Sequence, residues 1–246
     1  MQTSNSFRYS LVAGLGVFLY AGSGPANAQV APPLGQAASF AVLGGSAVTN
    51  TGATVVTGDV GVSPGSAITG FPPGMVVDGA IHSNDAPAAA AHADIATAYD
   101  ALAGQACNTD LSGTDLGGLT LGPGVYCFSA SAQLTGTLTL DAQGDVNALF
   151  IFQVGSTLTT ATAANVVVIN GGVDCNVFWQ IGSSMTVGTS SQFVGNTIAL
   201  QSITVTTGGT SHGSLWARNG AVTMDGSQVG VCAPTTPVSL QSYSVD

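Results

Sequence analysis

The chain contains no lysine and no glutamate, and its cations are Arg8 and Arg218 set against twelve aspartates. With almost no cation to replace the counterions of a phosphate backbone, nucleic acid is excluded as a partner. Anionic membrane surfaces are excluded on the same ground. No long hydrophobic run is present either: the apolar stretch from Leu11 to Ala21 is short and Gly-rich for a membrane span. There is no Gly-x-Ser-x-Gly elbow, phosphate loop, EF-hand loop or GGxGxD repeat. Sites that cleave polysaccharides need clustered carboxylates with Lys or Arg to stabilise charge, so the composition argues against an enzyme.

What is present begins with a leader. Arg8 supplies a positive region, Leu11 to Ala21 an apolar one, and Ala26-Asn27-Ala28 a small-residue cleavage motif. Residues 1–28 are therefore a predicted signal peptide, and the protein is expected to be secreted, extracellular or periplasmic. Losing Arg8 and no acid takes the formal charge from −10 to −11. The remaining 218 of 246 residues suffice for one all-β domain. The reading assigns residues 29–232 to that domain and residues 233–246 to a short C-terminal tail. The four cysteines Cys107, Cys127, Cys175 and Cys232 are expected in disulfides, as suits an exported chain. Three pairings are possible. Cys107–Cys127 is the best local candidate, worth about 3 kcal/mol on chain-entropy grounds, and Cys175–Cys232 would then tie down the C-terminal end. The cysteines and histidines are too scattered in sequence for a zinc site, and no metal or other cofactor is expected.

From Thr120 onward, short β-rich segments alternate with Gly, Asn, Asp and Ser. Five of them end on an aliphatic residue followed by threonine, at Thr135, Thr159, Thr186, Thr204 and Thr223. An irregular period of about 20 residues, with one residue type at one phase, predicts a β-solenoid rather than a two-sheet sandwich. One segment breaks this character. Asp85 as N-cap, Pro87 in the first turn and Gly104 as stop predict a helix over residues 86–103. Ile95, Tyr99 and Leu102, with Ala88 and Ala91, make its apolar face. At 1.5 Å per residue it spans roughly 27 Å, close to five or six rungs spaced about 4.8 Å apart. A mostly β chain, one irregular β-solenoid with a single long helix packed along it, is the predicted fold.

A second periodicity is chemical. Thr-Gly/Ala-x-Thr/Asn tetrads occur at Thr51-Gly52-Ala53-Thr54, Thr162-Ala163-Ala164-Asn165 and Thr207-Gly208-Gly209-Thr210, with a looser version at Thr189-Ser190-Ser191-Gln192. A surface lacking charge but carrying rows of threonine is poorly suited to ions, phosphates or acidic polymers. It is well suited to organising water, and the surface of an ice crystal is the partner this suggests. Threonine's β-branch fixes χ1, so methyl and hydroxyl are held in place before contact. The methyls favour an ordered water cage and the hydroxyls anchor it. Taken singly, each threonine needs no explanation beyond β propensity. It is their recurrence at matched phase that points to function.

Several stretches carry a family resemblance. LGQAASFAVLGGSAVTNTG and GDVGVSPG, the Ala-rich helix ending in AYDAL, LTLGPGVY and NVFWQIGSSMTVGTSSQFVGNTIAL resemble the microbial ice-binding proteins built as a discontinuous β-solenoid with an alongside helix. The likeness runs from residue 34 to about residue 231. It implies that the N-terminal rung stacks against the C-terminal end and that the first tetrad lies beside the last. It also implies an ice-binding face at Thr51, Thr54, Thr162, Asn165, Thr207 and Thr210, with Thr189 and Gln192 at the corresponding phase but departing from the motif. The segments around Thr135 and Thr223 have no tetrad. The expected protein is a monomer giving thermal hysteresis or inhibition of ice recrystallisation; the alternative is an adhesion or matrix module using the same face. Asp59 and Asp78 read as turn or cap residues, His82, His92 and His212 as unrelated, Arg218 as a partner of an aspartate or of carbonyls, and Trp179 and Trp216 as packing residues.

Overall fold

The computed structural model describes residues 29–232; the predicted leader and the predicted tail lie outside the described residues. The strands form three parallel sheets, which are the three faces of a triangular solenoid, with one strand of each complete rung in each sheet. Face A runs Ile81–Ser83, Asp59–Val62, Phe40–Gly44, Leu215–Ala217, Asn196–Ala199, Val177–Ile181, Phe150–Val154, Gly124–Phe128 and Thr109–Asp110. Face B runs from the other end as Ala132–Leu134, Leu158–Thr160, Met185–Val187, Ile203–Val205, Ala221–Asp225, Ala47–Thr51 and Ala67–Thr69. Face C begins at Met75–Val77 and Val55–Thr57 and ends at Thr120–Leu121.

Spatial order and chain order differ at one seam. The strand Phe40–Gly44 pairs with Leu215–Ala217, and Ala47–Thr51 pairs with Ala221–Asp225. The first rungs therefore stack on the last one wound, as the resemblance implied. Two covalent ties reinforce the ends. Cys107–Cys127 and Cys175–Cys232 are both bonded, with Cα separations of 5.9 and 5.1 Å.

Alternation drives the packing. On each strand one side chain in two points inward, and stacking brings like residues into columns. Tyr126, Phe152 and Trp179 occupy one register position on successive rungs. Phe152 and Trp179 stack with centroids 3.9 Å apart, and the buried Trp179 indole donates to the Val194 carbonyl. A parallel sheet must be covered on both sides or face water with polar side chains, and face A is covered. The helix α1, Ala86–Ala103, begins on Asp85, whose carboxylate accepts the Ala88 N–H at 3.0 Å. It joins the strand at one end of face A to the strand at the other. Ala88, Ala91, Ile95, Ala98 and Leu102 are its buried residues, packed on Phe40, Leu43, Ile151, Phe178, Ile198 and Trp216. Tyr99 packs half-buried at the edge of this cluster, as expected, and lies under the Arg218 guanidinium at 4.7 Å, while Ala98, small enough for close approach, is fully buried beside it.

Candidate functional site

The distribution of cover selects one face. Face A lies beneath α1. Face C is interrupted by the segment 170–176, tethered through Cys175–Cys232, and by a cleft of about 500 Å³ lined by Val55, Thr57, Val173, Asp174, His212 and Val231. Burial pushes the Asp174 carboxyl above the usual carboxylate range, against the opposing attraction of His212. Face B has no covering element among the described residues, and its seven strands carry a single charged residue, Asp225.

The outward column at the middle of face B is nearly all threonine. Gln133, Thr159, Thr186, Thr204, Thr223, Thr49 and Thr69 are register partners in that order. Strand spacing puts the side chains about 4.8 Å apart along the solenoid, and Thr49 donates its hydroxyl to Thr223 at 3.1 Å. Of the sequence-derived column, four members hold this position; Thr135 does not. It lies beyond its strand, where its N–H and that of Gly117 both bond Asp115 Oδ1, and Gln133 takes the place expected for it. Thr49 and Thr69 were missed because their rungs precede the helix. The signal that finds them is the tripeptide Ala-Val/Ile-Thr, at residues 47–49, 67–69 and 221–223.

The tetrads lie along the corner where face B turns into face C. Thr162, Thr189 and Thr207 are exposed in three successive turns, and the following strands begin at Asn165, Gln192 and Thr210, which are register partners. The left-handed backbone that these turns need falls at Ala163, Ser190 and Gly208. Thr189 Oγ1 meets Thr206 Oγ1 at 3.3 Å, and Thr210 Oγ1 donates to the Ser191 carbonyl at 3.4 Å.

The first tetrad is out of phase. Thr49 is partner to Thr223 and Val55 to Gln228, so Val55, not Thr54, continues the row of Thr210. Thr54 is fully buried, its hydroxyl accepting the Ser227 N–H at 3.0 Å; it faces inward and presents nothing to the surface. Thr51 remains exposed at the end of its strand, opposite Asp225. The corner row therefore reads Thr162, Thr189, Thr207, Asp225 and Thr51. Its chemistry is hydroxyl, methyl and one carboxylate.

The remaining polar side chains are dispersed. His82 Nδ1 contacts Asp85 at 2.8 Å, and the Ala88 N–H followed by His82 holds the Asp85 carboxyl below its ordinary value. His92 bonds the Arg218 carbonyl at 2.7 Å, and Arg218 reaches Asp100 at 3.3 Å. Among the described residues no three His, Cys, Asp or Glu side chains converge as a metal-binding group.

Comparison with known proteins finds the same architecture. A family model described as Ice-binding-like matches residues 42–230. An ice-binding protein of Nostoc sp. (strain HG1) is 57% identical over 205 residues, covering 83% of this chain and 76% of that one. Two solved structures superpose with TM-scores of 0.80. One is an ice-binding protein from an Antarctic biological consortium, 47% identical, covering 82% of this chain and 92% of that one. The other is an ice-binding protein of the ascomycete Antarctomyces psychrotrophicus, 41% identical, covering 83% and 100% respectively.

Proposed function

This chain belongs to the ice-binding-like family, and on that premise we propose that it adsorbs to ice through face B and the corner row beside it. The observation that carries the assignment is the in-register column Thr159, Thr186, Thr204, Thr223, Thr49 and Thr69 on the sheet that no other described element covers. The corner row lies alongside that column, with Thr51 two residues from Thr49 on one strand, or about 6.7 Å at strand rise. Together they form a rigid two-dimensional array. Each threonine offers a methyl that orders water around it and a hydroxyl that anchors that water, and β-branching holds both before ice arrives. Adsorbed molecules then block growth of the crystal between them. The protein acts outside the cell as a non-enzymatic monomer, in keeping with its leader motif and with a face that lacks clustered carboxylates.

Thermal hysteresis and ice shaping of three variants test this. Thr204→Tyr places a bulky ring mid-column, Thr207→Tyr places one on the corner, and Val167→Tyr places one on face C as control. Loss in the first two, with wild-type activity in the third and unchanged circular dichroism in all, is expected. Full activity in Thr204→Tyr and Thr207→Tyr moves the site off face B.

A further inference from the structure

We infer that Asp225 is a positioning residue of the ice-binding face, which orients the hydroxyls of Thr51 and Thr207 and joins them across the seam between the first and last rungs. The inference rests on the assignment of face B.

Asp225 is the charged exception on that face, and its environment is specific. Its rung has a shortened corner: Thr223 to Gln228 is five residues, whereas Thr204 to Thr210, its register equivalent, is six. The tetrad has no room there. In its place the Asp225 carboxylate accepts two hydroxyls, one on each oxygen. Thr51 Oγ1 donates to Oδ1 at 3.0 Å, and Thr207 Oγ1 donates to Oδ2 at 2.5 Å. Backbone bonds close the same seam, with the Gly226 N–H donating to the Thr51 carbonyl at 2.9 Å and the Gly208 N–H to the Asp225 carbonyl at 3.3 Å. Asp225 makes no ion pair among the described residues, so the threonines are its side-chain partners.

The consequence concerns protons. Threonine's β-branch fixes where its oxygen sits, but the O–H bond still rotates and can donate in several directions. A carboxylate only accepts, so both hydroxyl protons are held toward Asp225, which at 3.0 Å is the nearer acceptor for Thr51 than the Met224 carbonyl at 3.4 Å. The lone pairs of Thr51 and Thr207 are left for water, and the first water layer over the seam must donate to them. A neutral, rotating hydroxyl imposes no such direction. Asp225 thereby acts through its two neighbours and imposes one hydrogen-bond polarity where the chain order is broken.

The test is a double-mutant cycle on the full-length protein, read as thermal hysteresis at fixed concentration, with melting curves for each variant. The variants are Asp225→Ala, Thr51→Val/Thr207→Val, their triple combination, Asp225→Thr and Thr204→Tyr. Asp225→Ala and the double valine variant should each lose several-fold in hysteresis with unchanged melting. The triple variant should lose no more than either alone, because residues that act as a unit are not additive. Asp225→Thr supplies a neutral side chain of the row's own type and should stay as low as Asp225→Ala. Losses that multiply in the triple variant overturn the inference. So does Asp225→Thr at or above wild-type activity, and so does a loss that only tracks a lowered melting temperature. Loss in Thr204→Tyr with full activity in Asp225→Ala sinks this inference and spares the face. Full activity in Thr204→Tyr sinks the face itself.

Discussion

Truncating Ile95 to alanine separates what holds the fold from what meets ice. Ile95 is fully buried midway along α1, within the cluster formed by Phe40, Leu43, Ile151, Phe178, Ile198 and Trp216. Removing three buried carbons at about 0.8 kcal/mol each costs about 2.4 kcal/mol of transfer free energy. A cavity term is added, because the stacked strands of face A cannot collapse into the space, and the total comes to about 3 to 4 kcal/mol. For a domain of this size each kcal/mol lowers the melting temperature by about 2–4 °C, so a fall of roughly 6 to 16 °C is expected. Thermal denaturation followed by circular dichroism measures it. Thermal hysteresis near 0 °C should be unchanged, since α1 lies on face A and the threonine array on face B. A melting shift under about 2 °C would refute the docking of α1 as a stability element. Lost hysteresis in a variant still folded at the assay temperature would refute the separation of the two faces.

Two further outcomes follow from the covalent ties and the cleft. Replacing Cys175 and Cys232 together by serine opens a cross-link with a sequence separation of 57 and should cost about 4 kcal/mol, against about 3 kcal/mol for Cys107 and Cys127 with a separation of 20; denaturant titration checks the order. Asp174→Asn should raise the melting temperature at neutral pH and leave it unchanged near pH 3. Burial raises the folded-state pKa of Asp174 above the ordinary carboxylate range, so the stability associated with its protonated form is lost as pH rises through that folded value. Equal gains at both pH values would show that charge burial is not the cause.

The helix and the solenoid were legible because both rest on short-range pattern. Asp85, Pro87 and Gly104 delimit α1 through caps and fixed dihedrals that need no tertiary partner, and the recurring aliphatic-Thr unit marks rungs because every rung repeats one local task. The proposed site was legible in its residue types but not in phase. Thr162, Thr189 and Thr207 keep the spacing to the next strand that their neighbours keep. Thr51-Gly52-Ala53-Thr54 matches the same motif while sitting one residue out of phase, and period-two alternation turns Thr54 into the core. A motif records spacing within itself, whereas exposure depends on where the strand before it ends.

By itself, the sequence determined the chemistry of the surface. A chain without lysine or glutamate and with threonine at a repeated phase favours a hydroxylated face free of cations, and this follows from composition and periodicity. Tertiary structure alone decided which residues share that face. Stacking of the first rungs on the last brings Thr49 beside Thr223 and Thr51 beside Asp225, pairs 174 residues apart in the chain. Such contacts form because open parallel strands need edge partners for their N–H and C=O groups. The nearest available edge is set by how the chain winds back along α1, which no local pattern encodes.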